Sequence, residues 1–157
     1  MSEAQNTLAL IERVDIFHEV PTPILEELLD AADERTYEKG AEVFHEGDAG
    51  TGMYLVVSGA VELTQATKPG QEQRLALMDR GQIFGELSLF DELPRSATAV
   101  AFVNSELLHL PTAAVDRLLN DQHALAPLLL RNLVKKLSLR LRDADNEIRA
   151  LSLSRVP

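Results

Sequence analysis

The sequence predicts a mainly β fold with flanking helices: a β-roll or jelly-roll barrel followed by one long C-terminal helix. Three observations carry this. Between Tyr37 and Leu110, short apolar runs alternate with turn residues about every 8–12 positions, the texture of a sandwich or barrel. Helical spacing flanks that region on both sides. The last stretch carries apolar residues at alternating spacings of four and three, the pattern of a heptad seam.

The elements follow in chain order. Leu8, Ile11, Val14 and Phe17 recur every third residue and predict a short amphipathic helix over 8–19. Thr22-Pro23 reads as an N-cap with proline at the first helical position, opening a second helix that ends near Asp33. Strands are then expected at Val43-Phe44, Met53 to Val57, Val61 to Thr64, Arg74 to Met78 and Ile83-Phe84. Turns are expected at Ser58-Gly59, Lys68-Pro69-Gly70-Gln71 and Arg80-Gly81. Ala97 to Val103 and Glu106 to Leu110, joined at Asn104-Ser105, read as a hairpin. Helical texture resumes at Thr112 with Val115, Leu118 and Leu119. A last helix starts near Pro127, with Leu130, Val134, Leu137, Leu141, Ala144, Ile148 and Leu151 as a dimerisation seam. Two units are therefore expected, residues 1–126 and 127–157.

Composition narrows the function classes. Fifteen Lys plus Arg stand against 25 Asp plus Glu, a net charge of −10, which disfavours the chain as a nucleic-acid binder. There is no cysteine, so disulfides, thiolate metal sites and cysteine catalysis are excluded. No run of about 18 apolar residues occurs, and the acidic, interrupted N-terminus does not resemble a signal peptide, so a cytoplasmic protein without a membrane span is expected. The charge is uneven: residues 1–126 carry −14 and residues 127–157 carry +4. The basic segment is either a solvated mixed-charge helix or a docking surface for an acidic partner.

The segment that carries chemistry is Phe84-Gly85-Glu86-Leu87-Ser88-Leu89-Phe90, with Pro94-Arg95-Ser96-Ala97-Thr98 after it. Gly85 permits a tight turn and close backbone approach. Glu86 to Phe90 can form one helical turn whose free N–H groups face an anion. Arg95 can fork onto phosphate, and Glu86 can accept from a sugar hydroxyl. A phosphorylated sugar satisfies all four features, although Glu86 and Arg95 could also simply pair with each other.

The run FGELSLFDELPRSAT closely resembles the phosphate-binding cassette of cyclic nucleotide-binding domains, FHEGDAGTGMYLVVSGAVEL resembles the family's second to fourth strands, and RLALMDRGQIFGE resembles the approach to the cassette. The resemblance spans roughly residues 11–140. It implies that Glu86 binds the ribose 2′-hydroxyl, that Arg95 binds the exocyclic phosphate oxygens, and that backbone N–H groups near Leu87, Ser88 and Ala97 complete the cradle beside Gly85. Members with threonine directly after the cassette arginine favour cyclic GMP. Ser96 stands there in this chain, which points to cyclic AMP and leaves cyclic GMP as an alternative. Leu75 and Leu77 are expected to wall the base pocket. In members of the catabolite activator type, a Thr-Ser pair on the long helix touches adenine. The matching positions here are Arg140 and Leu141, which cannot copy those contacts. Arg140 either stacks on the purine or, as a heptad g residue, faces Asp145 of a partner helix.

His18, His45, His109 and His123 show no metal-ligand spacing, and no hydrolase signature occurs, so neither an enzyme nor a metal or cofactor site is expected. Only about six residues follow Leu151, which leaves no room for a DNA-binding domain. The expectation is a homodimeric cyclic nucleotide sensor that signals to a protein partner through its long helix. A protein-docking module of the same fold, with nucleotide incidental, and a fragment of a transcription factor are the alternatives.

Overall fold

The computed structural model describes residues 2–121 and 123–154. Its elements are α1 (Glu3–Ile11), a 3-10 turn (Asp15–Phe17), α2 (Thr22–Asp30), β1 (Asp33–Tyr37), β2 (Glu42–Phe44), β3 (Gly52–Ser58), β4 (Ala60–Lys68), β5 (Gln71–Asp79), β6 (Ile83–Phe84), α3 (Ser88–Asp91), β7 (Thr98–Ala101), β8 (Ser105–Pro111), α4 (Thr112–Asp121) and α5 (Leu125–Leu153). The strands form two four-stranded antiparallel sheets, ordered β1-β8-β3-β6 and β2-β7-β4-β5. This is the expected mainly β architecture with a long final helix.

Several elements differ from the sequence reading. The first helix starts at Glu3, where Ser2 and Gln5 form a reciprocal capping box, and it stops at Ile11. Val14 and Phe17 lie in and beside the 3-10 turn instead, yet both are buried, so the spacing located core residues without locating the helix. The Thr22 hydroxyl bonds Glu12 rather than capping α2. That helix ends at Asp30, and Asp33–Tyr37 forms an edge strand whose polar composition concealed it.

The expected hairpin at residues 97–110 does not form. β7 pairs with β2 and β4, whereas β8 pairs with β1 and β3, so the chain changes sheet at Phe102–Asn104. It also changes sheet at Gly59, between β3 and β4. The two corners lie side by side and are tied by the buried Ser105 hydroxyl, which bonds both the amide and the carbonyl of Ala60. Gly59 is required there: its φ is +83°, and a Cβ would fall 2.4 Å from the Asn104 carbonyl oxygen. Among the described residues, consecutive strands pair directly only at β4–β5, across the expected Pro69-Gly70 turn.

β3 explains its own unbroken apolar run. Tyr54 and Val56 point between the sheets, against Val61, Phe84, Ala99 and Leu107. Met53 and Leu55 point the other way, into a second core with Ile11, Phe17, Leu25, Leu28, Val115 and Leu118. α5 contributes Leu125, Leu129 and Leu133 to that helical core, and its buried Asn132 donates to the carbonyls of Ile16 and His18, clamping the helix base to the 3-10 turn. From Leu137 to Ser154 every residue is exposed. At about 1.5 Å per residue, the 29-residue helix is about 43 Å long, and more than half of it projects beyond the core. Among the described residues, no helix is long and apolar enough to cross a membrane.

Candidate functional site

β6 ends at Phe84, and the chain then turns sharply because Gly85 adopts φ +74°. The single turn of α3 follows. The amides of Leu89, Phe90 and Asp91 close onto the carbonyls of Glu86 and Leu87. Those of Leu87, Ser88 and Ala97 donate to no protein acceptor among the described residues. Glu92, in a left-handed conformation, ends the turn, and Arg95 is then fixed by its own backbone: its amide donates to Asp48 and its carbonyl accepts from Gly47. The loop between β2 and β3 thus holds the arginine in place from outside the cassette.

The Arg95 side chain is only 5% exposed. One arm of its fork donates to the carbonyl of Gly85 (2.9 Å) and the hydroxyl of Ser88 (2.8 Å), and the other donates to the carbonyl of Gly52 (2.6 Å). Its plane lies over Phe44, with Cζ 4.1 Å from the ring centroid. Among the described residues, its Nε is buried without a partner. Burial pushes the Arg95 pKa below the usual guanidinium value, with Tyr54, Asp48 and Glu86 acting the other way. A buried cation with an unpaired donor is a group prepared for an anion.

Glu86 is equally buried, but it does not pair with Arg95. Its Oε1 lies 2.9 Å from Lys136 Nζ and 3.8 Å from an Arg140 terminal nitrogen, both on α5. The alternative in which the two cassette charges neutralise each other is therefore not what the structure adopts. Lys136 escaped the sequence reading. The available signal was its i,i+4 relation to Arg140, which places the two cations on one helix face beside the apolar seam.

A cavity of about 450 Å³ lies among the cassette, β4, β5 and α5. Gly85, Glu86, Leu87, Ser88, Arg95, Ser96, Ala97, Leu75 and Arg140 all line it. Leu77 does not. β5 carries a bulge, since Leu63 pairs with Ala76 and Thr64 pairs with Arg74, leaving Leu75 as the extra residue. The bulge puts Leu75 on the cavity wall together with Ala76 and Met78, while Leu77 faces the opposite side of the strand, beside Glu62. Phe44, Leu63, Asp91, Leu93 and Lys136 also line it and were not foreseen. Arg140 reaches the cavity with a side chain 61% exposed.

The seven seam residues, Leu130, Val134, Leu137, Leu141, Ala144, Ile148 and Leu151, are all exposed. Leu129 and Leu133, outside the seam, make the core contacts instead. No group of three or more His, Asp or Glu side chains is placed to hold a metal ion among the described residues.

Comparison with known proteins places this geometry. The family model described as the cyclic nucleotide-binding domain matches residues 34–122. The chain is 40% identical over 141 residues to the cyclic AMP receptor protein of Thermus thermophilus, a match covering 87% of this chain and 62% of that protein's length. It superimposes on the N-terminal domain of a transcriptional regulator from Streptomyces coelicolor with a TM-score of 0.75 at 34% identity, covering 87% of this chain and 95% of that one. The sensor domain of the transcriptional regulator DNR from Pseudomonas aeruginosa gives a TM-score of 0.76 at 31% identity, covering 90% and 95%. With its cassette, its cavity and its two sheets in that arrangement, this chain belongs to the cyclic nucleotide-binding domain family.

Proposed function

We propose that this chain is a sensor of cyclic nucleotides, with cyclic AMP as its ligand, and that it signals by repositioning α5. The observation that carries this is the buried Arg95 in the cavity wall, with its Nε unpartnered, beside the free amides of Leu87, Ser88 and Ala97. A cyclic phosphate supplies the anion these donors lack. Each charge-assisted hydrogen bond of this kind contributes roughly 1.5–3 kcal/mol. Glu86 then accepts from the ribose 2′-hydroxyl, and the base lies against Leu63, Leu75 and Met78, with Arg140 available to cover it from α5. Serine at position 96, rather than threonine, supports adenine, and the Thermus relative is named as a cyclic AMP receptor.

Lys136 links ligand to output. A ribose that engages Glu86 competes with the Glu86–Lys136 pair, so the base of α5 experiences occupancy of the site directly. A ligand shifts such an equilibrium only by its differential affinity for the two helix positions. The exposed seam serves a homodimer, and the downstream target is a protein.

Calorimetric titration with cyclic AMP and cyclic GMP tests the reading. Arg95→Ala should weaken cyclic AMP binding at least about tenfold, which corresponds to a loss of only about 1.4 kcal/mol. Equal affinity in the variant and the parent would overturn the assignment.

A further inference from the structure

We propose that His109 is a positioning residue for Arg95, and that uptake of a proton by its ring accompanies binding of the cyclic phosphate. This rests on the reading of Arg95 as the phosphate ligand. His109 is buried on β8, directly opposite Asp33 of β1 and Tyr54 of β3. Its Nδ1 lies 3.0 Å from a terminal nitrogen of Arg35 and 3.5 Å from Asp33 Oδ2. A guanidinium only donates, so Nδ1 accepts, and the ring proton sits on Nε2, 3.5 Å from the Thr51 hydroxyl.

The same Nε2 edge packs on Gly52. A Cβ at Gly52 would fall 2.7 Å from Nε2 and 2.3 Å from the Leu110 carbonyl oxygen, so neither neighbour leaves room for a side chain there. The Gly52 carbonyl is the acceptor that holds one arm of Arg95 at 2.6 Å. Tyr54 lies against both groups, its ring centroid 4.9 Å from the His109 ring and 6.0 Å from Arg95 Cζ. The histidine therefore abuts the residue that aims the phosphate-binding arginine.

Burial and the Arg35 charge chiefly oppose an imidazolium at His109. Asp33 favours it, and Arg95 adds to the opposition. A second proton on the ring must displace Arg35 from Nδ1 and turn that edge toward Asp33. An anion seated on Arg95 offsets one of the opposing cations, so His109 holds a proton more readily in the complex than in the free chain. Linkage is reciprocal: ligand affinity must then rise as pH falls through the range in which His109 titrates.

Residue-resolved NMR titration of the full chain, with and without cyclic AMP, separates His109 from the exposed His18 and His45. Its pKa should rise by at least half a unit on binding. By calorimetry, affinity should be about threefold tighter at the acid end, with protons taken up. H109Q should bind with affinity independent of pH over that range. R35Q offers a second route if H109Q does not fold: it removes a cation opposing the imidazolium, and the pH dependence should move to higher pH. A His109 titration unmoved by bound cyclic AMP overturns the coupling and leaves the ligand assignment standing. No binding at any pH overturns both.

Discussion

A single methyl group at position 85 has nowhere to go. The backbone there sits at φ +74°, which costs an L-residue about 1–2 kcal/mol, and a Cβ would lie 2.6 Å from an Arg95 terminal nitrogen. Gly85→Ala should therefore lower unfolding stability by about 1–3 kcal/mol in urea titrations, and it should also push the guanidinium out of its position. Cyclic AMP affinity should fall in the same variant. Loss of stability with full retention of affinity would show that the arginine is not held as described. At the residue scale Glu86 and Arg95 do not pair, because each is engaged by other partners. Arg95 is held by Gly52 and Ser88, and Glu86 is held by Lys136.

At the scale of elements, α5 has separate jobs on separate faces and turns. Leu125, Leu129, Asn132 and Leu133 anchor its base, Lys136 and Arg140 face the cavity, and the apolar seam stays exposed. Parallel pairing along that seam would bury side chains that water now covers, at roughly 25 cal/mol per Å² of apolar surface. Replacing Leu141 and Ile148 together by Glu, far from the anchored turns, should yield a folded monomer in sedimentation equilibrium while leaving the circular dichroism of the β-roll unchanged. Sedimentation identical to that of the parent would count against the seam. The β7–β8 segment carries the contrasting lesson. Its local pattern suits a hairpin, but the Gly59 and Phe102–Asn104 corners send the two strands to different sheets.

For the whole molecule, the charge of −10 does not oppose an anionic ligand at the site itself. Three cations (Arg95, Lys136 and Arg140) face two carboxylates (Glu86 and Asp91) in the cavity wall. More distant charges are screened beyond about 8 Å at physiological salt. Acid sensitivity is a property of the whole fold. His109 is held below its ordinary pKa of 6.5 by burial and by Arg35. As pH falls below that value, the unfolded chain gains a proton that the folded chain resists, so stability declines. Above it, neither state is protonated and His109 contributes no slope. The urea midpoint should therefore be lower at pH 5.5 than at pH 7.5, with a smaller difference in H109Q. An unchanged midpoint in the parent would contradict this.

The sequence by itself determined the class of the fold and the cassette segment whose residues line the cavity. Those features depend on local chemistry: glycine at a left-handed position, turn residues between short strands, and an acid and an arginine on one short segment. What it could not supply depends on residues far apart in the chain. The polar edge strand Asp33–Tyr37 has no apolar periodicity because it becomes a strand by pairing with β8. Leu75 and Leu77 both read as pocket wall, but the one-residue bulge at Leu75 puts the two on opposite sides of the strand, and only Leu75 lines the cavity. Lys136 looked like one more surface cation on a charged helix, and only the docking of α5 brings it to Glu86, fifty positions earlier in the chain. Tertiary structure decided these cases because burial and electrostatic pairing act through space, whereas propensity and periodicity act along the chain.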